Sequence, residues 1–169
     1  MADSHTQLMS DLQGLDAKIS RVDYSRRGYH LEVWIAGDKV RDVARVFLNH
    51  EFYLVFITAV HMQSEIELVY QFAHYSSFFR VNCRLRLESG DNTASISEIF
   101  QGADWHEREI RDLFGTVFVG HPNLKPLVLL EEDADLKPLL KTEKTIKSRE
   151  QVSWPEKTPA DTEDNQSGL

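Results

Sequence analysis

The sequence predicts a two-layer α+β domain, with helices packed on one face of a mixed β-sheet. Two periodicities and one break carry that expectation. Apolar residues alternate two by two through Tyr29–Ile35, Glu65–Phe72 and Phe78–Leu87. They recur at three and four through Val40–Leu48, and Gly37-Asp38 separates the two patterns. In order, the elements read α-β-β-α-β-β-β, followed by one further strongly patterned helix.

Leu8, Met9, Leu12 and Leu15 share a helical face between Thr6 and Leu15. Lys18–Tyr24 reads as a strand and Arg26-Arg27-Gly28 as a turn. Tyr29, Leu31, Val33 and Ile35 then alternate against His30, Glu32, Trp34 and Ala36. Asp38 is positioned to cap a helix whose stripe is Val40, Val43, Ala44, Phe47 and Leu48. Three strands follow: Leu54–Met62, Glu65–Phe72 and Phe78–Leu87. In the last, Phe79, Val81, Cys83, Leu85 and Leu87 occupy one face, and Arg80, Arg84 and Arg86 the other. That arginine face is expected to meet solvent or a partner. Two helical pieces are expected next, Ala94–Gln101 and Asp104–Phe114. Gly115 should close the second, and Asp104 and Glu107 have capping-box spacing. Pro122, Pro126 and Pro138 exclude long helices beyond it. Residues 1–150 are expected to form the domain and 151–169 a disordered acidic tail.

Composition narrows function before any motif does. Among 169 residues, 27 acidic against 19 basic give a net charge of −8, a poor match for a chain that neutralises phosphates. The single cysteine, Cys83, cannot supply a Cys₄ zinc site or an iron–sulfur cluster, and its strand position marks it as a core residue. No signal peptide is recognisable at the start. The apolar run Phe52–Met62 falls well short of the ~20 residues of a membrane-spanning helix. No G-x-S-x-G, G-x-G-x-x-G or P-loop pattern occurs.

The densest segment is Asp104-Trp105-His106-Glu107-Arg108-Glu109-Ile110-Arg111-Asp112-Leu113-Phe114-Gly115, followed by Phe118-Val119-Gly120-His121-Pro122-Asn123-Leu124. On a helix, Glu107 would meet Arg111, and Arg108 would meet Asp112, at i,i+4, with Trp105, Leu113 and Phe114 as anchors. One reading is a salt-bridged surface helix. A second takes His106, Glu109 and His121 as metal ligands of a free-standing enzyme. Against it, His106-Glu107 lacks the second histidine of an H-E-x-x-H motif, because position 110 is isoleucine.

This segment resembles the signature of the C subunit of NADH:quinone oxidoreductase, respiratory complex I, with looser similarity over residues 30 to 140. The family also includes the equivalent subunit of energy-converting membrane-bound nickel–iron hydrogenases and formate hydrogenlyases. The resemblance implies a scaffold subunit of the hydrophilic arm, docked on the D-type subunit and peripheral on the cytoplasmic side of the cell inner membrane. It implies no cofactor on this chain. Iron–sulfur clusters, quinone and NADH, or nickel–iron in the alternative, would belong to partners. Glu107, Arg108, Glu109, Asp112, Gly115, Gly120, His121 and Pro122 fall on signature positions, read as structural and interfacial. Arg80, Arg84 and Arg86 form a possible docking face. Lys137-Pro138-Leu139-Leu140-Lys141-Thr142 departs from the family's H-P-L-R-K-D-like stretch, which leaves the usual C-terminal contacts in doubt and raises the hydrogenase-type relative.

Overall fold

A computed structural model describes residues 2–63, 65–88 and 91–141. The expected acidic tail and the last residues of the 1–150 domain lie outside the described residues.

The chain runs α1 (Ala2–Gln13), β1 (Lys18–Arg21), α2 (Tyr24–Arg27), β2 (Leu31–Trp34), a 3₁₀ turn (Gly37–Lys39) and α3 (Val40–Asn49). It continues through β3 (Phe52–His61), β4 (Glu65–His74), β5 (Arg80–Glu88), β6 (Asn92–Ala94), α4 (Ala103–Phe114), β7 (Val117–Val119) and a 3₁₀ turn (Glu131–Asp133). The main sheet has the order β1-β2-β5-β4-β3. Only the β2–β5 pair is parallel, so the sheet is mixed, as expected. A parallel pair needs a long crossover, and the segment carrying α3, β3 and β4 supplies it.

The core follows the alternation. Leu31, Val33, Ile66, Leu68, Tyr70, Phe72, Val81, Cys83, Leu85 and Leu87 share one buried cluster with Leu8 and Leu12 of α1, Val43 and Phe47 of α3, and Ile110 and Phe114 of α4. Cys83 is fully buried there, and burial pushes its thiol pKa up, away from the thiolate that a metal would need.

Four local expectations are corrected. The strand from Lys18 stops at Arg21, because the Asp23 carboxylate accepts the Ser25 N–H at 2.9 Å and caps a single helical turn; Gly28, at φ 74°, closes that turn. Asp38 lies inside the 3₁₀ turn rather than at a helix cap, and Lys39 precedes α3 without a side-chain cap bond. The Ala94–Gln101 segment is not a helix. Its start pairs as β6, parallel to β7, and the Ser97 N–H turns back to Ser95 Oγ at 3.2 Å. Finally, α4 begins after Gly102 with no side-chain cap, so Asp104 and Glu107 form no capping box.

The arginine face is real, but its charges are met within the chain. Arg84 ion-pairs with the buried Glu67, lies 3.4 Å from Glu32 and reaches Tyr29 Oη. Arg86 pairs with Glu65 at 3.3 Å and covers the Trp34 ring, while Arg80 stands over the Phe78 ring. Among the described residues, no helix is long and apolar enough to cross a membrane.

Candidate functional site

The surface salt-bridge reading of α4 fails in a specific way. Glu107 and Asp112 are fully buried, and neither makes its ion pair at i,i+4. Arg108 lies 3.6 Å from Asp104, and Arg111 lies 3.2 Å from Asp112. Trp105 points outward rather than anchoring the helix.

Each buried charge instead holds a stretch of backbone. Glu107 Oε1 accepts the Ile96 N–H at 2.8 Å, and Oε2 accepts the Ser95 hydroxyl at 2.5 Å. This ties the loop after β6 to the first turns of α4. Arg41 of α3 reaches the same loop, donating to the Ser95 carbonyl at 2.9 Å and pairing with Glu98 at 2.6 Å. Burial drives the Glu107 carboxyl up to about 7, despite the lowering effect of the Ser95 and Ile96 donors.

Asp112 acts on the downstream segment. Its Oδ2 accepts the N–H groups of Leu127, Val128 and Leu129 at 2.7, 2.9 and 3.3 Å. Burial raises its pKa, but these donors and Arg111 outweigh burial and hold the carboxyl below the usual range. One turn earlier, Arg108 donates to the carbonyls of Lys125 and Pro126, both at 3.0 Å. An arginine and an aspartate on one helix face thus satisfy successive acceptors and donors of a bent segment that has no strand partner of its own.

His121 closes the other end of the site. Its side chain is buried. Nδ1 accepts the Asn123 N–H at 3.0 Å, which puts the ring proton on Nε2, 3.2 Å from the Asp104 carbonyl. Nε2 is also 3.6 Å from the Asp104 carboxylate and 4.0 Å from Glu107 Oε2. Gly115, at φ 83°, ends α4 with its N–H on the Arg111 carbonyl, and Gly120, at φ 84°, makes the turn before His121 and the exposed Pro122. Both glycines thus occupy the left-handed region that a helix end or a tight turn requires.

Glu109 is exposed and lies roughly 160° around the helix from Glu107, at 100° per residue. His106 is on the flank between them. The trio His106, Glu109 and His121 does not converge, and among the described residues no three His, Cys, Asp or Glu side chains are placed to hold a metal ion. Sequence reasoning missed Ser95 and Arg41 as members of the site, because each joins it through a tertiary contact that no local spacing announces.

Residues 33–149 match the family model described as the respiratory-chain NADH dehydrogenase 30 kDa subunit. The chain is 31% identical over 119 residues to the C subunit of NADH-quinone oxidoreductase from Roseiflexus castenholzii, covering 66% of this chain and 68% of that protein. It is 40% identical over 78 residues to the corresponding C subunit of Jannaschia sp., covering 44% of this chain and only 38% of that protein. Among solved structures, a chain of the membrane-bound sulfane sulfur reductase, an archaeal respiratory membrane complex, superposes with a TM-score of 0.69 at 25% identity, covering 81% of both chains. The trypsin-resistant fragment of Nqo5 shares the fold, with a TM-score of 0.60 at 18% identity, covering 72% of this chain and 99% of the fragment. The extent of the family match, together with the signature helix and its paired glycine turns, establishes that the chain belongs to the respiratory-chain NADH dehydrogenase 30 kDa subunit family.

Proposed function

We propose that this chain is a scaffold subunit of the hydrophilic arm of an NADH:quinone oxidoreductase, carrying no cofactor itself and docking on the D-type subunit. In this reading it sits peripherally on the cytoplasmic side of the membrane. NADH, iron–sulfur clusters and quinone are handled by its partners, and electron transfer there drives proton translocation. One observation carries the reading: Glu107, Arg108 and Asp112 are spent on this chain's own backbone, so the signature fixes a shape instead of presenting reactive groups. Arg80 and Arg86, on the sheet face away from the helices, are the arginines that a partner could reach.

The alternative is the same scaffold role in a hydrogenase-type complex built around nickel–iron; the likeness to a chain of an archaeal respiratory membrane complex, itself a sulfane sulfur reductase, fits it only in part. A single preparation tests both readings. The tagged full chain is isolated from membranes of its native host and assayed for iron, for NADH-dependent quinone reduction and for hydrogen evolution. Iron-bearing partners with quinone reduction support the first reading, and hydrogen evolution supports the alternative. A chain that purifies alone, from a host whose activity survives its deletion, overturns both.

A further inference from the structure

Aromatic rings from four separate parts of the chain stack in one column at the end of the main sheet. Tyr24 of α2 lies on His30, His30 on Phe79, and Phe79 on His5 of α1, with centroids 4.6, 4.8 and 4.0 Å apart and planes within 27° of parallel. Two rings parallel to Phe79 at these distances cannot share one of its faces, so His5 and His30 sandwich it. A third imidazole, His74, meets His5 edge-on at 5.9 Å, and Phe78 meets Tyr24 and His30 edge-on. The column ties the start of α1 to the entries of β2 and β5. The later turns of α1 are held differently: Leu8 and Leu12 are fully buried, and Asp11 Oδ2 lies 2.7 Å from His50 Nε2.

Two of the three imidazoles use Nδ1 as an acceptor. His30 Nδ1 takes the Arg80 N–H, and His74 Nδ1 takes the Ser76 and Ser77 N–H groups, each at 3.1 Å. A second proton on either ring must go to that nitrogen, which leaves those amides without their acceptor. The groups around His5 also oppose a charge. Burial lowers its pKa most, and His74, the amino terminus and His30 add to the lowering. Burial lowers His30 as well, against a backbone contact at Arg80, and the Arg80 charge adds to the lowering. β3 contributes the apolar Phe52, and Asp23 of the α2 cap is committed to the Ser25 amide and Arg26. One imidazolium on Phe79 gains a cation–π contact, but a second on the opposite face meets a like charge.

We propose that this column is an acid-sensitive clasp: when its imidazoles take up protons, the first turns of α1 leave the sheet while Leu8, Leu12 and the Asp11–His50 contact keep the rest of the helix seated. The sign follows from the lowered imidazoles. Their contribution is complete above the ordinary value of 6.5 and is lost as pH falls through it toward the folded value. The Asp11 end does not open with it, because hydrogen bonds from His50 and Gln7 hold the Asp11 carboxyl below the usual carboxylate range.

The test uses the full-length chain with a carboxy-terminal tag, as wild type and as H5F, which keeps a ring on Phe79 without a titratable group. Hydrogen exchange is followed by NMR at pH 7.5 and pH 5.5, with rates corrected for the intrinsic effect of pH. The reporters are the amides of Thr6, Gln7 and Leu8, which bond back to the first turn of α1. An imidazole that is neutral in the clasp and free to ionise outside it makes opening about tenfold more favourable over that interval. Wild-type protection at these amides should therefore fall about tenfold at pH 5.5, with Asp11–Gln13 and β4 unchanged, and the fall in H5F should be about threefold or less. Unchanged wild-type protection, an equal fall in H5F, or a fall spread evenly over the sheet overturns the clasp. Should H5F fail to fold, the titration of the His5 ring in the wild-type chain decides: a midpoint below 6.5 supports the clasp, and one at or above 6.5 overturns it.

Discussion

Arg108 and Asp112 stand four residues apart on α4 and together hold one bent segment: the arginine takes the carbonyls of residues 125 and 126, and the aspartate takes the amides of residues 127, 128 and 129. Their opposite charges are therefore used on complementary backbone groups. A side-chain pair on a solvated helix contributes only a few tenths of a kcal/mol, whereas a buried carboxylate accepting several amides is expensive to remove. D112A should cost roughly 2–3 kcal/mol in urea unfolding and speed hydrogen exchange at residues 127–129. A loss below about 0.5 kcal/mol, with exchange unchanged, would show that the segment is held by something else. The sign of the pH dependence follows from the lowered carboxyl. The Asp112 contribution is present above the ordinary carboxylate pKa and disappears only as pH falls through the depressed folded value, so it is intact across the neutral range.

Glu107 behaves in the opposite sense. Its folded carboxyl is raised from 4.5 to about 7, so the folded protein holds a proton that the unfolded chain has already released between those values. Stability from this group is full below pH 4.5 and is lost as pH rises through about 7. The total is roughly 3 kcal/mol. E107Q keeps an oxygen for the Ile96 N–H and removes the titration. The variant should show a flatter stability profile than the wild type between pH 5 and pH 8, and should gain on it at the alkaline end. Parallel profiles for the two proteins would exclude Glu107 as the titrating group.

The strands and α4 were legible because their signal is local. Alternation in Glu65–Phe72 and Phe78–Leu87 placed Tyr70, Phe72, Val81 and Cys83 in the core, and Gly115 marked the end of α4 at a residue whose φ is 83°. The direction of the charges was not legible. Spacing places Arg108 beside Asp112, but it carries no information about residues 125–129 arriving alongside, or about Ser95 lying against Glu107. The missed non-helical stretch at 95–101 has the same origin, since the Ile96 amide is committed to a carboxylate eleven residues away in sequence. The arginine stripe was found by period two, but its division required the register that brings Glu32 and Glu67 to Arg84.

That division is itself testable. The Arg84 side chain is mostly buried and its Glu67 partner is almost wholly so, whereas half of Arg86 is exposed. Removing one member of a buried pair leaves the other charge inside and costs roughly 3–5 kcal/mol, while an exposed pair is worth about 1 kcal/mol or less. R84L should therefore lower the urea midpoint far more than R86L, and R84L with E67L should recover much of the loss. R86L and R80A should leave the fold intact while weakening recovery of partner subunits. Equal destabilisation by R84L and R86L would contradict the division of the stripe into a folding arginine and two accessible ones.

Two glycines with nearly the same backbone conformation provide an internal control for the packing beneath α4. Gly28 and Gly115 have φ of 74° and 83°, so an alanine at either pays the left-handed penalty of roughly 1 kcal/mol. Their surroundings differ. A Cβ at Gly28 meets nothing within 4 Å, whereas one at Gly115 lies 3.1 Å from Lys137 Cδ and 3.2 Å from Cε. Lys137 also donates to the Ala134 carbonyl, so its side chain is committed on both sides. G115A should therefore be more destabilising than G28A, by about 1 kcal/mol beyond the shared backbone cost. Shortening the lysine relieves the contact, so G115A/K137A should cost less than the sum of the two single changes in a double-mutant cycle. Strict additivity, or G28A and G115A of equal effect, would mean that Lys137 does not rest on Gly115 in solution. The segment after α4 would then lose one of the contacts that fix it against the end of that helix.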